Sequence, residues 1–153
     1  MKEGLNMRDI IKLPIIDVDG LDVEVYASIE DVELDIESPD VNTCTVYDSE
    51  GRLLHFGVEG VEDMKTRENK KELCGLINNI IDTLVSLVPV KCVPVQKVVL
   101  KSTETQPRHK EELRKALVES LAYEGVSQEF LSKASLEELI NKVIEMRGIR
   151  KLR

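Results

Sequence analysis

Leu13-Pro14-Ile15-Ile16-Asp17-Val18-Asp19-Gly20-Leu21-Asp22-Val23-Glu24-Val25-Tyr26 is the stretch whose reading decides the fold. Two apolar runs, Leu13 to Val18 and Leu21 to Tyr26, flank Asp19-Gly20. An Asp-Gly pair between such runs is a strong hairpin signal, because a type I′ turn needs positive φ at both central residues. In the second run Leu21, Val23 and Val25 alternate with Asp22, Glu24 and Tyr26, which predicts a strand with one buried face and one wet, acidic face.

Downstream, Ser28 is placed to cap a helix, with Asp31 three residues on. Ile29, Val32 and Ile36 then share one face, and Glu30, Asp31, Glu33 and Asp35 fill the rest. Val32, Leu34 and Ile36 also alternate with Glu33 and Asp35 as a strand would; the cap favours helix. Ser38-Pro39-Asp40 breaks the segment. A second hairpin follows, from Thr43 to Asp48, over Ser49, Glu50 and Gly51, and back from Arg52 to Val58.

From Arg67 to Val88 the apolar period becomes 3.6, through Leu73, Leu76, Ile77, Ile80, Ile81, Leu84 and Leu87, and Pro89 ends it. This predicts the longest helix, packed on the sheet. Val90 to Leu100 is β-branched, and Pro94 makes it an edge or irregular strand. Ser102 to Pro107 is a polar connector. It separates an acidic unit, residues 1–101, from a helical segment, residues 107–153, which can also pack on the first as one domain. Pro107 marks a helix start with Leu113, Ala116, Leu117, Ser120 and Leu121 as its face, and Gly125 its end. Ser127 caps a short helix to about Lys133. Ser135 with Glu138 forms a capping box for a last helix through Arg147, stopped by Gly148. The expected class is α+β: an antiparallel sheet of two hairpins packed by a long helix, plus a C-terminal helical segment.

The chain has 153 residues, a net charge of −8 and 42% apolar residues, but only 3% aromatics and no tryptophan, so its core must be aliphatic. Collagen-like, disulfide-framework and disordered classes are excluded by this balance. No apolar run reaches the roughly 18 to 20 residues of a membrane span, and no secretory core follows the first residues. Cys44, Cys74 and Cys92 form no CxxC pair, which fits a reducing, cytoplasmic setting. Charge is unevenly divided: residues 1–63 hold 17 acids and 4 bases, residues 64–153 hold 12 acids and 17 bases.

No catalytic constellation emerges. His55, His109 and the cysteines lack ligand spacing, so no metal is expected, and no glycine-rich phosphate loop or other cofactor motif is present. The acids point instead to a protein partner. Asp22, Glu24, Glu30, Asp31, Glu33 and Asp35 would form a negative surface that steers a basic protein into contact; the plainer reading is a solvated face. An alternative is a DNA-associated accessory protein. Gly125-Val126-Ser127 with Leu131-Ser132 resembles the turn and second helix of a helix-turn-helix, and Lys133, Lys142, Arg147, Arg150, Lys151 and Arg153 would meet phosphates. Against it, Gln128 to Lys133 is short and carries Glu129, and cations near Arg147 equally suit a helix C-terminus.

Four segments in order carry a resemblance: Leu21 to Tyr26, Ser28-Ile29-Glu30-Asp31-Val32-Glu33, Pro39-Asp40-Val41, and Val46-Tyr47-Asp48-Ser49-Glu50-Gly51-Arg52-Leu53-Leu54. Together they resemble small bacterial proteins of polymorphic-toxin gene neighbourhoods with immunity-like roles. The resemblance spans Leu13 to Val58. It implies an immunity-like role; joined to the acidic N-terminal face, the expected function is a non-catalytic protein that binds and blocks a cationic toxin. Ser38-Pro39 departs from the usual lead into the loop, and the C-terminal helices have no counterpart in it.

Overall fold

Gly20 turns the first hairpin. Its φ is +59°, and among the described residues no non-glycine φ is positive, so the loop is Gly20-Leu21 with the φ signs of a type II′ turn, not Asp19-Gly20 in a type I′ turn. The shift by one residue leaves the left-handed conformation to glycine alone, where the expected loop would have forced Asp19 into it too. Leu21 is consequently exposed at the tip, and the register sets Ile16 opposite Val25, Asp17 opposite Glu24 and Val18 opposite Val23.

The computed structural model describes residues 7–37, 40–59 and 96–151. A single turn, α1 (Met7–Ile10), leads into β1 (Ile15–Asp19) and β2 (Asp22–Tyr26). Ser28 Oγ accepts the Asp31 N–H at 3.1 Å and opens α2 (Ile29–Asp35), so the cap outweighs the strand-like alternation. A 3₁₀ turn (Asp40–Asn42), β3 (Thr45–Asp48), β4 (Leu53–Glu59) and β5 (Lys97–Thr103) follow. The chain then forms α3 (Lys110–Tyr123), α4 (Gln128–Lys133) and α5 (Leu136–Arg147). The expected helix from Arg67 to Val88, with Cys74 and Cys92, lies outside the described residues.

The strands form one antiparallel sheet in the order β2-β1-β3-β4-β5. The fold is therefore α+β, and the two hairpins meet along β1 and β3, where Ile16 faces Tyr47. The pleat sends alternate residues to opposite faces. Ile16, Val23, Val25 and Tyr47 pack under the C-terminal helices against Leu113, Leu117, Leu121, Leu131, Leu139, Ile140 and Val143. Sheet and C-terminal helices thus share one core. Ile15, Tyr26, Val46, Leu54 and Val98 pack on the other face with Ile11, Val32 and Ile36. The face of β2 expected to be wet is so only toward the turn: Asp22 is exposed and Glu24 half-buried, while Tyr26 packs with Val32 of α2 and is 1% exposed.

The β3–β4 turn is built around a buried carboxylate. Asp48 accepts the backbone N–H groups of Lys12, Glu50 and Arg52 and pairs with the Arg52 guanidinium at 2.9 Å. Gly51, at φ +87°, abuts the start of α3 so closely that a Cβ there would lie 2.6 Å from the Lys110 Cα. The His109 N–H donates to the Gly51 carbonyl at 3.0 Å. Helix α3 accordingly begins at Lys110 rather than at Pro107, because the backbone before it is engaged in this docking. The remaining helix signals act as written: Ser127 caps α4, Ser135 and Glu138 form the capping box of α5, and Gly125 and Gly148 take positive φ after α3 and α5.

Candidate functional site

The six carboxylates singled out from the sequence do not form one free negative surface. Asp31 is 4% exposed, and its side chain accepts the Ser28 hydroxyl at 2.7 Å. Glu33 crosses under the sheet, where one oxygen accepts the Leu100 N–H and the Arg8 guanidinium, both at 2.7 Å. It thereby satisfies a donor of β5, the strand at the end of the described sheet. Glu30 lies 3.5 Å from Arg8. Asp31 and Glu33 are thus taken up within the fold, because a helix packed on a sheet must satisfy the polar groups it covers, while the Glu30 side chain stays half exposed.

The other three gather at the opposite edge, along β2, and the chain's own C-terminus meets them there. Arg147 pairs with Asp22 at 2.8 Å and with Glu124, and it donates to the Val23 carbonyl at 2.8 Å and to Ser120 Oγ at 3.0 Å. Past Gly148 the chain runs parallel to β2. The Arg150 N–H donates to the Val25 carbonyl at 2.7 Å, and the Ala27 N–H donates to the Arg150 carbonyl at 3.1 Å. The Arg150 guanidinium pairs with Asp35 at 2.7 Å and with Glu24. Between those carboxylates stands the Tyr26 hydroxyl, donating at 2.5 Å to Asp35 and at 2.8 Å to Glu24. Burial first, then these two hydrogen bonds, hold the phenol protonated well above its ordinary range.

Asp17 and Asp19, absent from the expected set, complete the cluster. Asp17 faces Glu24 across the β1–β2 ladder. Burial, and then repulsion from Glu24, Asp19 and Asp35, pushes its carboxyl up to about 6. One of its oxygens is buried with no hydrogen-bond partner among the described residues. The signal was present as Asp17 and Asp19 alternating on one strand, but the covering of that face was not legible. Cys44 lies close by; burial and the Asp17 charge push its thiol up to about 11, which leaves it protonated and a poor nucleophile.

Among the described residues no three ligating side chains are placed to hold a metal ion. Four bases of the expected nucleic-acid segment are engaged as well, Lys133 with Glu129, Lys142 with Glu145, Arg147 and Arg150 as above; Lys151 is exposed, and Arg153 lies outside the described residues. The open groove between α4 and α5, about 680 Å³, has Val126, Phe130 and Met146 along it and Glu124, Glu138 and Glu145 against Lys142. That rim has the wrong sign for a phosphate backbone. No described helix is long and apolar enough to cross a membrane. The chain matches no family model, and no curated protein or solved structure matches it significantly.

Proposed function

We propose that this chain is a non-catalytic interaction module that docks a basic protein at the acidic edge of the sheet. The observation that carries the reading is the convergence of Asp17, Asp19, Glu24 and Asp35, close enough for the last three to raise the Asp17 carboxyl. Among the described residues Arg150 is the base paired with any of them. Carboxylates in such excess steer a cationic partner and set its register. The proposed surface keeps Asp22, Glu24 and Asp35 from the sequence reading and replaces Glu30, Asp31 and Glu33 with Asp17 and Asp19. An immunity-like role, with a basic toxin as partner in the cytoplasm, is the form of this reading that the N-terminal resemblance supports.

Anisotropy titration with a labelled nona-arginine peptide tests it. Binding is expected at low salt, weakening as salt screens the charges. The double variant Asp17→Asn with Asp19→Lys is expected to bind about tenfold more weakly. Equal affinity in variant and wild type would remove the acidic edge from the proposal.

A further inference from the structure

The C-terminus divides sharply at Gly148. Before it, Arg147 is fixed by four partners on α3 and β2, and its side chain is 24% exposed. After it, a short strap, Ile149 to Lys151, holds to the sheet by two backbone hydrogen bonds and the Arg150 ion pairs. Ile149 is 38% exposed and the Arg150 side chain 47% exposed. Gly148 ends α5 at φ +84°, and a Cβ built there would meet nothing within 4 Å. Among the described residues Ile149 is the strap's one apolar side chain and is more than a third exposed, and segments held by so few contacts open locally without unfolding the rest.

The strap also does what a ligand does. It adds to the edge of β2 that no other described strand pairs with, satisfies the Val25 carbonyl and the Ala27 N–H, and places a guanidinium between Glu24 and Asp35 beside the Tyr26 hydroxyl. We infer that Ile149–Lys151 is an internal stand-in for the partner. The partner presents an extended segment carrying an arginine, which displaces the strap and pairs parallel to β2 by strand addition. Without an occupant this edge would expose unpaired backbone groups beside a carboxylate cluster, and a weakly held cover protects it until a partner arrives. The inference rests on the function proposed above and adds a gate to it.

The test uses a fluorescein-labelled peptide Gly-Ile-Arg-Lys-Leu-Arg, the sequence of residues 148–153, against full-length wild type, Arg150→Ala and Arg150→Gln. Freed of the internal guanidinium, both variants are expected to bind the peptide at least about tenfold more tightly than wild type. Adding Glu24→Gln to either is expected to return the affinity to the wild-type level. Thermal melting of each protein establishes that it is folded, and two different replacements of Arg150 guard against one failing to fold. Equal affinity of wild type and variants, with the charge-dependent binding of nona-arginine intact, would overturn the gate and leave the acidic docking edge standing. Absence of binding to any form would overturn both. Dimerisation of wild type through exchanged straps, seen by light scattering, would identify the occupant as a second copy and also overturn the inference.

Discussion

The two faces of the sheet are held by different chemistry. Beneath α3, α4 and α5 the buried side chains are aliphatic apart from Tyr47 and Ser120, whose hydroxyl donates to the Leu21 carbonyl at 2.7 Å. On the other face, by contrast, Asp31 of α2 and Asp48 at the β3–β4 turn are buried and Asp17 is half-buried. The dry face draws its strength from apolar area removed from water. The other face depends on each carboxylate finding donors, and where donors run short, at Asp17, it carries a cost.

That contrast is broken most severely at Asp48. Asp48→Ala strands three backbone N–H groups and the buried Arg52 guanidinium, and is expected to lower unfolding free energy by about 4 kcal/mol in urea denaturation. On the dry face Leu117→Ala leaves a cavity under the sheet and is expected to cost about 3 kcal/mol by the same measurement.

Asp17→Asn sharpens the contrast, because its effect has the opposite sign. The folded carboxyl sits at about 6 against an ordinary 3.8, so between those values the folded protein holds more protons than the unfolded chain. Stability from this group is complete below about 3.8, falls as pH rises, and is lost above about 6. At pH 7 the variant is expected to be more stable than wild type by about 1 to 2 kcal/mol, discounted for solvent screening. The gain should vanish by pH 3.5. A constant difference across that range would show that charge is not the cause. The smallest effect is local to the helical face: Ser135→Ala removes one half of the α5 capping box and is expected to cost about 1 kcal/mol.

What was legible in the sequence follows the range of the forces involved. Ser28, Ser127 and the Ser135–Glu138 pair act within one helical turn, and Gly125 and Gly148 act on their own backbone, so each could be read where it stands. The hairpins were legible for the same reason, except that the first turn moved by one residue to spare Asp19 a positive φ. The site was legible only as composition. Asp22 and Arg147 are 125 positions apart, and Arg150 and Glu24 are 126 apart. The excess of acids in the first 63 residues and of bases in the rest was in part the signature of two ends attracting each other, not of two independent surfaces. No local pattern distinguishes those cases, since both put the same residues on the same chain.

The central claim is that the cover on the β2 edge opens while the fold beneath stays closed. Native-state hydrogen exchange of the Ala27 amide, which donates to the Arg150 carbonyl, measures this against the amides of β1, a strand paired on both sides. Ala27 is expected to exchange through a local opening, at a rate insensitive to mild denaturant and raised in Arg150→Ala, while the β1 amides exchange only on global unfolding. Exchange of Ala27 in step with β1, unchanged by the substitution, would show that the strap is part of the core and would contradict the account.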